Sequence, residues 1–429
     1  MADIIRHPGN EELWQAVGWS LAGLQRRWPL HIHVEGVRGT GKTSLLRAAA
    51  ALSPSIRRIK GCLYQCRPEA PHCPEHRHLS PEEIRELGEE WVPAPFLEIS
   101  PSAKLGTVVG TLDLEALGRG TPRLLPGTLA QAHRGIVFID EINRLADSAS
   151  EVADALLDVM GTKPGRLQVE EAGFPPVSFP VEVTVWAASN PDEEPGPLAA
   201  IRRQLADRFD LHVQVNRPLE AAHVEAILRR RLAMREPSFP WTLPQGEDLP
   251  WPQVDDGWLG VLARLYVDWN LESLRGLEAW LGAARLAAAA EGKSQVEREH
   301  LLQAAFPALR HRVEEVRLAE VGAYLSQKPA GEGPPGEEVG EDMTFPERER
   351  ALPPAALAPD DHPGSPWNRL FSGFRKKAPV PGDGVPPSLA GGVPSLREPQ
   401  TWPVEAPPQG AQPLSRWRGG RWWRPADPR

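Results

Sequence analysis

Three short strings carry side chains suited to handling a phosphate chain. Gly36-Val37-Arg38-Gly39-Thr40-Gly41-Lys42-Thr43 matches the phosphate-loop pattern G-x-x-x-x-G-K-[ST] at every fixed position. Gly36, Gly39 and Gly41 allow the backbone N–H groups of this loop, Thr40 included, to turn inward toward phosphate oxygens. Lys42 is placed to neutralise β- and γ-phosphates, and Thr43 offers a hydroxyl to Mg²⁺. Asp140-Glu141 follows the apolar run Ile136–Ile139. Asp140 would hold the metal through water, and Glu141 would orient or deprotonate the attacking water. Alone, an apolar strand ending in two acids is usually structural; downstream of a phosphate loop it reads as catalytic. Asn190 closes a third apolar run and is placed to contact the γ-phosphate or the water. Charge that develops during phosphoryl transfer calls for arginine. Arg208, in Asp207-Arg208-Phe209, is the candidate to reach a neighbouring subunit. Arg275 is the candidate to close over the nucleotide of its own subunit.

A second constellation holds all three cysteines. Cys62-x₃-Cys66-x₆-Cys73-x₂-His76 supplies three thiolates and an imidazole, a set that suits tetrahedral Zn²⁺. His72 and His78 are alternative fourth ligands. The spacing matches no diagnostic zinc pattern, and reduced thiols in a polar loop are an equal alternative.

These residues need a scaffold. Residues 10–27 read as a helix, with Leu13, Val17, Leu21 and Leu24 at three- and four-residue spacing. Leu30–Val34 reads as a buried strand, and the glycine turn after it opens a helix over Thr43–Leu52. Ile136–Ile139 and Val183–Ala188 are further core strands, with a helix near Ser148–Met160 and a hairpin over Val169–Val181 turning near Ala172-Gly173. Leu211–Val215 is strand-like. Strands alternating with helices imply an α/β fold with a mostly parallel sheet covered on both faces. From about Pro218 the pattern turns helical: Ala221–Ala233, Trp258–Trp269, Leu274–Ala290 and Val296–Val313. Residues 235–256 form a proline- and tryptophan-rich loop. The expected domains are therefore 1–216, α/β, and 217–325, all helical.

The chain has 429 residues, 41% hydrophobic and 24% charged, which excludes wholesale disorder. Residues 326–429 hold 21 of the 47 prolines and 13 of the 38 glycines, so they are expected to be a disordered tail. That tail is acidic over Glu332–Asp361 and basic over His362–Arg429, ending in the tryptophan–arginine run Arg416–Arg424. The run reads as a docking peptide. A net charge of −9 argues against a nucleic-acid binder. Three cysteines make no disulfide framework, and no apolar signal or membrane-spanning run is present. A soluble cytoplasmic protein is expected.

Taken together, the strings resemble the AAA+ ATPases and, within them, the ATPase subunit of magnesium chelatase. The resemblance rests on the phosphate loop, Val108–Leu114, Pro126–Gly135 running into the Asp-Glu strand, and Ala155–Val159 with its following hairpin. It continues through Ser189–Pro191, Leu205–His212, Ser273–Gly276, Ala289–Lys293 and Ala308–Arg312. It spans Gly9–Arg312 and implies an AAA+ P-loop NTPase core with a helical lid, assembled as a ring, commonly a hexamer. It implies ATP and Mg²⁺ bound by Lys42, Thr43, Asp140 and Glu141, with Asn190 as first sensor, Arg208 as inter-subunit finger and Arg275 as second sensor. Its partners would be a large chelatase subunit, which inserts metal into a tetrapyrrole, and a bridging subunit with a von Willebrand factor A-type domain. Ile4–Gly9 departs from the family's apolar start. The tail leaves no room for a von Willebrand-type domain, so the chain is expected to be the ATPase subunit or the AAA+ half of a split bridging subunit. Two other readings compete. One is a MoxR-like remodelling ATPase that activates a metalloenzyme, and the other is a non-hydrolysing scaffold. The client metal, magnesium or cobalt, is open at this level.

Overall fold

The computed structural model describes residues 5–326, apart from 119–122, 171–175, 233–238, 240–243, 245, 269–270 and 272. The hairpin tip at Ala172-Gly173, much of the 235–256 loop and the tail from 327 lie outside the described residues. The described residues belong to one compact unit, Met1–Phe345.

Five strands form its parallel sheet: β1 Ile32–Glu35, β2 Phe96–Ile99, β3 Ile136–Ile139, β4 Thr184–Ser189 and β5 Leu211–Gln214. Their lateral order is β5-β1-β4-β3-β2, each neighbouring pair parallel. Every residue of β3 and β4 is buried. A parallel sheet covered on both faces needs such continuous apolar runs. Alternate side chains point to opposite faces. Ile136, Phe138, Trp186 and Ala188 therefore enter one core with the helix Glu11–Leu24. Val137, Ile139, Val185 and Ala187 enter the other.

Register decides where function can sit. Glu35 on β1 pairs with Ser189 on β4, and Ala187 on β4 pairs with Ile139 on β3. Adjacent strands lie about 4.8 Å apart. The chain leaving β1, β4 and β3 at their C-terminal ends is thus gathered at one edge, where α/β sheets bind ligands.

The expected hairpin over Val169–Val181 is present, but its first strand begins earlier, Gly165–Val169 pairing with Val177–Val181. The expected helix Ser148–Met160 is present as Ser150–Val159; a further helix, Ile142–Ser148, precedes it, and Ala149 between them leaves the helical region at φ −129°, ψ 63°. The edge strand β2 is an addition. Its four residues sit just after Pro93 and Pro95, and proline-flanked runs that short carry little strand signal. Two small antiparallel ribbons, Ser55–Ile59 with Glu89–Pro93 and Gly110–Leu112 with Leu124–Pro126, are further additions.

The helical part comprises Ala221–Leu232, Asp256–Asp268, Leu274–Ala290, Arg298–Leu309 and the additional Glu315–Ser326. Leu274–Ala290 packs on Glu11–Leu24, and Arg298–Leu309 on β5. Arg310 reaches the Glu12 carboxylate at 3.1 Å. The almost fully buried Arg312 donates to the carbonyls of Asp207, Phe209 and Asp210 at 2.7–3.2 Å. These two arginines pin the helices to the sheet rather than leaving them separate from it. Among the described residues no helix is long and apolar enough to cross a membrane.

Candidate nucleotide site

The loop after β1 is shaped by backbone requirements that few residue types meet. Gly36 comes so close to β5 that an added Cβ would lie 2.3 Å from the Val215 carbonyl oxygen. Gly41 has φ +84°, a left-handed conformation glycine takes without penalty. The helix Lys42–Ala49 starts directly after it. Loop N–H groups and a helix N-terminus thereby face one hollow of about 260 Å³.

Lys42 folds back over the loop and donates to the carbonyls of Gly36 and Val37 at 2.5 and 2.9 Å. Burial pushes its ammonium below the ordinary lysine range, against the pull of Asp140 and Glu193. Thr43 Oγ1 lies 3.3 Å from both carboxylate oxygens of Asp140. This hydroxyl–carboxylate set is all oxygen, the hard donor type Mg²⁺ takes. The residues present fit that ion.

Glu141 sits beside Asp140 with φ +54° and ψ +48°. A non-glycine residue there stores about 1–2 kcal/mol of strain. The strain is found at the residue expected to handle water. The Glu141 carboxylate is 3.0 Å from Arg144 and 3.8 Å from Arg38. Asn190 also lines the hollow and donates to Glu193 at 2.5 Å. Asn143 steadies the backbone behind it, donating to the carbonyls of Asn190 and Gly196. Gly39, Thr40, Gly41, Lys42, Thr43, Asp140, Glu141 and Asn190 thus converge as the sequence predicts, and Gly36, directly after β1, lets the loop start close against the Val215 carbonyl. Glu193, Arg38 and Arg144 were missed. Their only signal was position: one inside the loop, one a turn past Glu141, one a turn past Asn190.

The two remaining arginines go elsewhere. Arg208 ends the helix Arg203–Arg208, and Arg275 lies in the first turn of Leu274–Ala290. The Arg275 guanidinium donates to the Gly161 carbonyl at 3.3 Å, and the Arg208 guanidinium lies against Gly161. Burial and the positive charge of Arg275 hold Arg208 below its ordinary range. Neither lines the hollow of its own chain. Arg275 is thus not brought to the hollow of its own chain; the helix bearing it packs on Glu11–Leu24.

Beneath the loop, His33 and Glu35 on β1 and His212 on β5 cluster, with His33 stacked on its register partner His212 at 5.0 Å. Burial pushes the Glu35 carboxyl up, but the two rings more than offset it and hold it below the usual carboxylate range. The sequence signal was a period-two His-x-Glu on a core strand.

The cysteine cluster is also assembled. The ligand atoms of Cys62, Cys66, Cys73 and His76 all lie within 4.8 Å of one another. His72 and His78 are outside that group.

Phosphate loop, strand-borne acids and strand-end asparagine on one parallel sheet, with helices pinned across it, define an AAA+ P-loop ATPase. Residues 261–329 match the AAA lid domain family. The chain is 36% identical over 302 residues to the magnesium-chelatase 38 kDa subunit of Acidiphilium rubrum, covering 66% of this chain and 84% of that protein. It is 35% identical over 306 residues to the subunit of that name from Cereibacter sphaeroides, covering 68% and 86%. A solved structure of the complex between subunits BchI and BchD of magnesium chelatase contains a chain 28% identical. The match covers 72% of this chain and 94% of that one, with a TM-score of 0.37. The chain belongs to the magnesium-chelatase 38 kDa subunit family.

Proposed function

We propose that this ATPase is the ring-forming motor of a magnesium chelatase. Its turnover would drive Mg²⁺ insertion into a tetrapyrrole held by a separate large subunit. A von Willebrand factor A-type subunit would bridge the two. The single observation that carries the motor reading is the division of the machinery within one protomer. A complete phosphate and acid site is lined by neither Arg208 nor Arg275 of its own chain, while those two arginines sit together at Gly161.

In this reading Lys42 exchanges its two loop carbonyls for phosphate oxygens. Thr43 and Asp140 would hold Mg²⁺, which would supply neutralising charge for the phosphates. Glu141, released from Arg144, takes the proton of the attacking water, and Asn190 fixes that water against the γ-phosphate. Arg208 and Arg275 of one protomer enter the hollow of the next and meet the negative charge of the transition state. The cytoplasm or an equivalent soluble compartment suits a motor of this type.

Mixing two inactive variants tests the division. Arg208→Ala keeps a sound pocket but offers no finger, and Glu141→Gln keeps the finger but has a dead pocket. Each alone is expected to lose about 10²–10³-fold or more in turnover. Mixed rings are expected to regain turnover where a Glu141→Gln protomer faces an Arg208→Ala pocket. Mixtures as inactive as either parent would reject the arrangement. Co-purification with a large chelatase subunit tests the client. Recovery of an unrelated metalloenzyme instead would favour the remodelling class.

A further inference from the structure

The segment between Ile59 and Pro81 has almost no regular secondary structure, yet it behaves as core. Cys62, Tyr64, Cys66 and Cys73 are each at most 2% exposed and pack with Ile59, Leu124 and Phe179. Long irregular segments are seldom buried unless something ties them down. The three cysteines form no disulfide. Their sulfurs crowd together in a place where three separate thiols gain little from one another.

The crowding has the dimensions of a coordination sphere. Tetrahedral zinc with bonds of about 2.3 Å to sulfur and 2.0–2.1 Å to nitrogen places neighbouring ligand atoms roughly 3.5–3.8 Å apart. Cys62, Cys66, Cys73 and His76 lie within 4.8 Å of one another, and Cys73 Sγ to His76 Nδ1 is 3.2 Å. The backbone N–H groups of His72 and Cys73 both point at Cys66 Sγ, each at 3.4 Å. Such N–H donors satisfy the spare lone pairs of a metal-bound thiolate and orient it.

The fourth ligand is selected by geometry. His72 Nδ1 meets Cys66 Sγ at 3.4 Å, but its ring lies against His133 at 4.1 Å and it stands outside the mutual group. His78 is exposed. His76 faces the sulfurs.

We propose that Cys62, Cys66, Cys73 and His76 bind one structural Zn²⁺. Three sulfurs and one nitrogen in a closed tetrahedron leave no open position for chemistry. The knot braces the approach to the acid strand. Tyr64 Oη donates to the Leu124 carbonyl, Gln65 Nε2 to the Gln131 carbonyl, and Arg134 to the Gln65 carbonyl, at 3.1–3.3 Å. The site is independent of the nucleotide hollow and of the motor reading.

The test uses the full chain produced with zinc in the medium and read by elemental analysis. One zinc per chain is expected, with iron absent. Native protein should resist a thiol reagent until a chelator is added, and the chelator should lower the melting temperature. Cobalt exchange should give the intense visible bands of a tetrahedral thiolate site. His76→Ala should lose at least tenfold in zinc affinity, whereas His76→Cys should retain stoichiometric metal with a shifted cobalt spectrum. His76→Cys also serves as the folded control if His76→Ala does not fold. Metal-free protein with three freely reactive thiols overturns the proposal. So does iron with visible absorption as isolated, or zinc unchanged in a Cys62→Ser, His76→Ala double variant.

Discussion

Glu141 combines a backbone penalty with a chemical duty. Its left-handed conformation aims the carboxylate into the hollow, and glycine would adopt that conformation freely. Its ion pair with Arg144 is half exposed and adds little stability. Glu141→Gly is therefore expected to raise stability by up to about 1 kcal/mol while abolishing turnover. Thermal melts beside an ATPase assay check both, and a destabilised variant would contradict the strain argument. The residues of this pocket were legible because each belongs to a string whose spacing is dictated by phosphate and metal geometry. Arg208 and Arg275 were legible as arginines but not as neighbours. Their meeting at Gly161 depends on how distant helices pack, and no local spacing encodes that.

At the level of elements, the lid is held by a charge used as a structural peg. Arg312 places its guanidinium among the carbonyls of Asp207, Phe209 and Asp210, and burial lowers its pKa. Removing it leaves buried carbonyls without donors. Arg312→Ala is expected to cost roughly 2–4 kcal/mol in urea denaturation and to loosen the neighbouring Arg208. Turnover should fall more than nucleotide binding. An unchanged denaturation midpoint would sink the peg. Core strands such as β3 announce themselves, being apolar at every position. The edge strand β2 and the short ribbons do not, because a few residues beside prolines carry little pattern. The helix Ile142–Ser148 was also hidden, because seven residues hold little more than one helical period before Ala149 breaks it.

For the molecule as a whole, buried imidazoles set the acid limit. His31 and His33 are fully buried, and burial lowers both to about 3. His31 Nδ1 accepts from the Val185 N–H at 3.1 Å and must stay neutral to do so. In the unfolded chain these rings titrate near the ordinary histidine value, about 6.5. Between that value and about 3 the unfolded state binds more protons, so stability is lost as pH falls. Each ring contributes a slope of up to about 1.4 kcal/mol per pH unit. Melting temperature should thus drop steadily below about pH 6.5, well above the carboxylate range. His33→Gln should flatten that fall, and a flat profile down to pH 4 would refute the assignment.

The separation of pocket from arginine pair has a further consequence for assembly. A contact that gives one subunit's guanidinium to the next subunit's pocket is heterologous, head to tail. On the proposed arrangement the terminal pocket of an open row would be incomplete, and a solitary chain would have no complete pocket. Specific activity should rise with protein concentration faster than linearly and level off when the circle closes. A member lacking the arginine pair would silence its neighbour's pocket while its own stayed sound.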